Sequence, residues 1–106
     1  MENIFNIPNE IKEEVFETLK EGSGEFKLER IVSAGQITPE GQWYDQEKDE
    51  WVVLIQGQAQ LLFEKEKKIV YLNKGDYLTI KAHDRHRVIY TSEEPPCVWV
   101  AFHYTS

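Results

Sequence analysis

Cysteine and methionine each occur once in the 106 residues, and histidine three times. With Cys97 alone, no internal disulfide can form, which suits a reducing, cytoplasmic setting. Basic residues are also short: 12 Lys and Arg stand against 19 Asp and Glu, for a net charge of −7. Affinity for nucleic acid rests on basic patches, so no nucleic-acid partner is expected. The dense basic cluster Lys65-Glu66-Lys67-Lys68 is interleaved with glutamates and reads as a hairpin tip. No apolar run approaches the ~20 residues that cross a bilayer. Met1-Glu2-Asn3-Ile4-Phe5 has neither the basic nor the apolar region of a secretory signal, so no membrane partner is expected. A phosphate-binding glycine loop is missing, since Gly22-Ser23-Gly24 is followed by neither a helix pattern nor Lys-Ser/Thr. Ser33, Thr79, Thr91 and Ser92 lack a spaced acid and base that would make one of them a nucleophile.

What is present divides the chain in two. Over residues 1–24, Ile11, Val15 and Leu19 recur at helical spacing among glutamates and lysines. Pro8 comes early and Gly22-Ser23-Gly24 closes the stretch, which predicts one amphipathic helix. From residue 25 to 106 the pattern changes to short β segments. Strands are predicted at Phe26–Leu28 and Ile31, then at Glu50–Gln56, Gln58–Glu64, Ile69–Asn73, Tyr77–Ile80, His86–Thr91 and Cys97–Tyr104. Turns rich in Gly, Asn, Lys and Pro separate them. Regularly spaced short strands predict a single all-β domain closed into a sandwich or barrel, since closure protects sheet edges.

Two stretches stand out. Glu50 precedes Gly57 by seven positions in Glu50-Trp51-Val52-Val53-Leu54-Ile55-Gln56-Gly57, and Gly75 precedes His86 by eleven. Glu50-x6-Gly57 matches the second half of the motif Gly-x5-His-x-His-x3-4-Glu-x6-Gly, and Gly75 to His86 matches the frame of Gly-x5-Pro-x-Gly-x2-His-x3-Asn. On these residues the chain resembles the cupin family over about residues 26–104. The resemblance implies a jelly-roll barrel, or double-stranded β-helix. It departs from the family pattern where the first motif's histidines would fall, at Trp43 and Asp45 or at Tyr44 and Gln46. Lys81, His83 and Tyr90 also replace the second motif's proline, glycine and asparagine.

The resemblance implies a metal site in which Glu50 and His86 survive by position. Strand alternation puts Glu50, Val52 and Leu54 on one face, His86, Val88 and Tyr90 on another, and Trp99, Ala101 and His103 on a third. If these faces point inward, His103 joins Glu50 and His86, and Asp45 or Gln46 supplies a further oxygen. Two imidazoles with carboxylates suit a divalent ion such as Zn, Fe(II), Mn or Ni. His83 and Arg85 are expected at the mouth as substrate contacts, with Trp43 and Tyr90 lining the cavity or the core. Two functions follow: a small metal-dependent enzyme of dioxygenase or isomerase type, or a small-molecule or metal binding or sensing module without turnover. The apolar face of Trp51, Val53 and Ile55 must pack on the opposite sheet or on a second subunit, so a homodimer is expected.

Overall fold

The computed structural model describes residues 1–105, which form eight strands and no helix. The strands are β1 (Val15–Gly22), β2 (Phe26–Ser33), β3 (Asp49–Gln56), β4 (Ala59–Phe63), β5 (Lys68–Leu72), β6 (Tyr77–Ile80), β7 (His86–Thr91) and β8 (Cys97–Tyr104). A five-stranded sheet runs in the order β1-β2-β8-β3-β6 and faces a three-stranded sheet β5-β4-β7; every pairing is antiparallel. Among the described residues, no helix is long and apolar enough to cross a membrane.

The N-terminal helix is the expectation the fold overturns. Val15–Gly22 is an edge strand paired to β2, with Val15 opposite Val32 and Gly22 opposite Phe26. Gly22-Ser23-Gly24 therefore serves a hairpin rather than a helix end. Val15, Phe16 and Thr18 favour strands, and the exposed edge of β2 offers a full ladder of hydrogen bonds. An isolated helix of this length is marginal in water, so the ladder wins.

The core lies between the two sheets. Val52 and Leu54 from β3 meet Leu61 and Phe63 from β4, together with Leu72, Ile80, Trp99 and Ala101. At the end of β3, Gly57 adopts φ +94, and a Cβ there would lie 2.8 Å from Ser92 Oγ and 2.9 Å from Cys97 Cα. Only glycine combines that backbone with that approach. Beside Glu50 and His86 the packing leaves a cavity, walled in part by Val52, Leu61, Ile80 and Trp99 of this core.

Candidate functional site

Three adjacent strands build one wall of this cavity. Glu50 on β3 stands directly opposite His103 on β8, and His103 in turn lies opposite Lys27 on β2. Paired residues across such a ladder hold their Cβ atoms about 5 Å apart. His103 Nε2 lies 2.8 Å from Glu29 Oε1, and Lys27 Nζ lies 3.5 Å from Glu29 Oε2. The hydrogen bond to Glu29 raises the His103 pKa above its ordinary range, burial opposes this, and the charges of Glu50 and Glu29 add to the rise. Burial pushes Glu29 up, but the bond and charge of His103, with Lys27, bring it below the ordinary carboxylate value. Both directions describe the same ion pair.

His86 opens β7 from the facing sheet. It is 5% exposed, and its ring stacks between Tyr44 and Phe63, with centroids 5.6 and 5.7 Å away. A two-bond bridge to the Tyr44 backbone, at 2.8 and 3.2 Å, holds the loop before β3 against this strand. Nδ1 donates to the Asp84 carbonyl at 2.9 Å, which leaves Nε2 outside that bond.

Glu50, His86 and His103 line one cavity of about 100 Å³, with Gln46, Tyr44 and Trp99 among its other walls. Glu50 is 6% exposed and takes part in no hydrogen bond or ion pair with any described residue. Glu14 and Glu29 also line this space, and sequence reasoning did not single them out. Glu29 was within reach, because Glu29, Ile31 and Ser33 alternate along β2. Glu14 left no such signal, since it lies in the stretch that reads as a helix. It accepts a hydrogen bond from Ser33 Oγ at 2.6 Å, and burial, aided by Glu29, raises its pKa despite that bond.

The other expected site residues lie elsewhere. Asp45 is exposed and bonds His83 Nδ1 at 2.7 Å, so the pair sits outside the cavity that holds Glu50. Of the two neighbours weighed for an oxygen ligand, Gln46 is the one that faces inward. His83 and Arg85 border a separate surface cleft with Glu64 and Lys81. Arg85 lies 3.4 Å from Glu64, and the guanidinium groups of Arg85 and Arg87 lie 5.8 and 5.7 Å from the Trp43 ring centre. Tyr90 is 43% exposed. The β4–β7 ladder pairs Gln60 with Tyr90 but Leu61 with Val88, so the bulge skips a residue and turns Tyr90 off the face it would otherwise share with His86.

A family model for the cupin domain matches residues 29–103. The chain belongs to the cupin family. A Ralstonia eutropha protein described as a candidate mannose-6-phosphate isomerase is similar over 100% of this chain and 98% of its own, at 39% identity and a TM-score of 0.92. A cupin superfamily protein from Desulfitobacterium hafniense is similar at 14% identity, over 94% of this chain and 84% of its own, with a TM-score of 0.76. A polyketide cyclase from Streptomyces resistomycificus is similar at 18% identity, over 87% and 65%, with a TM-score of 0.71. The last two show the fold alone. No curated protein sequence matches.

This cupin does not present the preassembled metal set that its family implies. Asp45 lies outside the cavity, and the Nε2 of His103 is held by Glu29. Among the described residues, no three histidine, cysteine, aspartate or glutamate side chains cluster closely enough to hold an ion. What the cavity does offer is two bases, Glu50 and His86, on opposite walls. That arrangement can bind a hydrogen-bond donor or move a proton on a bound molecule.

Proposed function

We propose that this cupin binds a small molecule inside its barrel, with Glu50 as the anchoring group and His86 and His103 on the flanking walls. The observation that carries the reading is Glu50 itself. A buried carboxylate without hydrogen-bond donors is costly, and the cavity places that cost where an occupant can offset it. On this reading the chain is a binding or sensing module.

A second reading is a divalent ion, Zn, Fe, Mn or Ni, serving isomerase-type or dioxygenase-type chemistry. It is favoured by the two imidazoles and the Glu50 carboxylate that share the cavity, and by the candidate isomerase among the similar structures. It requires His103 to leave Glu29 first.

Metal analysis and native mass spectrometry of untagged protein, beside a Glu50→Ala/His86→Ala variant, separate the two. The expected result is trace metal in both proteins, with a small organic adduct on the wild type only. Near-stoichiometric metal that the variant loses would replace the first reading with the second.

We further propose a cytoplasmic homodimer. The outer face of the five-stranded sheet supports it: Trp51 and Val53 on β3 pair with Phe102 and Val100 on β8, and all four are half-buried. Tyr77, 66% exposed, packs 5.4 Å from Trp51. The facing sheet covers only the opposite, inner surface, so a second copy would cover this one.

A further inference from the structure

The charge of the cavity narrows what enters it. Glu14, Glu29 and Glu50 line it, and no lysine or arginine does. Two of the three are provided for: Glu29 by His103 and Lys27, and Glu14 by the Ser33 hydroxyl. Glu50 is not, although it is nine-tenths buried. Its oxygens are left to the cavity, and a carboxylate confined in this way without protein donors is suited to a cation.

A second group in the same space also lacks a partner. Gln46 Nε2 is buried and makes no hydrogen bond with any described residue. Buried amide donors are almost always satisfied, so an orphan in a cavity wall marks where an acceptor belongs. Tyr44 and Trp99 add aromatic rings to the wall, and aromatic rings attract ammonium groups within about 6 Å. The negative field reaches Tyr44: burial, then Glu14, Glu50 and Glu29, hold its phenol above the ordinary range.

Resting on the small-molecule reading, we propose that the occupant is an organic ammonium ion carrying an acceptor oxygen. The ammonium donates to Glu50, and the oxygen accepts from the Gln46 amide. A cavity of about 100 Å³ takes a compact head group, since one of about 150 Å³ holds a benzene ring. The rest of a larger molecule would pass through the mouth beside Phe16, which is half-exposed at the rim. A phosphate ester is disfavoured here. It would set negative charge against the Glu50 carboxylate, with His103 already paired to Glu29 and no lysine or arginine in the walls to offset it.

Three probes of one size and differing charge test this: alaninol, propylene glycol and lactate. The readout is the ring resonances of the histidines, followed by NMR during titration of the wild-type protein. His86 and His103 face the cavity, and His83 lies outside it as an internal control. Alaninol is expected to shift His86 and His103 saturably and leave His83 unmoved. Propylene glycol should bind about tenfold more weakly or worse, and lactate should not bind. Glu50→Gln, with a well-dispersed spectrum, should lose the response to alaninol. Equal or tighter binding of propylene glycol or lactate would overturn the ammonium assignment while sparing the cavity reading. Silence from all three would overturn both. Zinc that saturates the same resonances and displaces alaninol would assign Glu50 to a metal and overturn the proposal.

Discussion

His103 Nε2 stands 2.8 Å from Glu29 Oε1, while Glu50, directly opposite His103 across the β3–β8 ladder, has no hydrogen bond to any described residue. One carboxylate of this wall is neutralised within the protein and the other is left to the cavity. The first consequence is a pH dependence. The folded-state pKa of His103 is raised above 6.5, so its contribution is complete below that value and fades as pH rises through the folded pKa. Glu29 is lowered below 4.5, so its share is complete above that value and fades on acidification. Glu14 runs the other way: its raised pKa means the ionised form costs stability above 4.5, and acid relieves that cost. Lys27 and Glu50 also act on His103, Lys27 lowering its pKa and Glu50 raising it. Stability measured by denaturant should therefore fall by on the order of 1 kcal/mol from about pH 6 to about pH 8.5. His103→Gln should flatten that slope; an unchanged slope would separate the pair from the pH response.

Glu50→Gln should stabilise the ligand-free protein. The amide keeps the shape of the side chain and removes a buried charge, a change worth about 1–2 kcal/mol. For a domain of this size, that is a rise in Tm of roughly 4–8 °C per kcal/mol. Calorimetry of wild type and variant checks it. A lower Tm in the variant would mean that the carboxylate holds the fold together, and it would lose its claim to be a binding group.

The Asp45–His83 pair should be dispensable. Both side chains are largely exposed, and exposed pairs contribute less than about 1 kcal/mol. Asp45→Asn or His83→Asn should leave the denaturation midpoint nearly unchanged, the asparagine tolerating the left-handed backbone at φ 64. The His86 and His103 shifts on alaninol addition should persist. Their loss would bring the loop before β3 into the site.

The outer sheet face should mediate self-association. Light scattering at micromolar concentration is expected to give the mass of two chains for the wild type and of one for Trp51→Glu or Phe102→Glu. A monomeric wild type would remove the homodimer.

How much was legible in the sequence differs from strand to strand. The strands from Glu50 to Tyr104 were readable because alternation and turn residues agree along them. Glu50 and His86 were readable because their spacing to Gly57 and Gly75 matches a known frame. His103 needed only the parity of one regular strand. Tyr90 misled because the same parity rule fails across a bulge, and the bulge is a property of the β4–β7 pairing rather than of either strand alone. The segment before Gly24 misled because its apolar spacing fits a helix as well as a strand.

The sequence by itself determined an all-β cupin domain, its acidic character and three of its cavity residues, Glu50, His86 and His103, since these rest on composition, alternation and local spacing. Only the tertiary structure decided that β1 pairs with β2, that Asp45 bonds His83 outside the cavity, and that Glu14 and Glu29 join Glu50 within it. Those outcomes depend on which strand edge is free and which face meets which, and contacts between residues distant in the chain settle both.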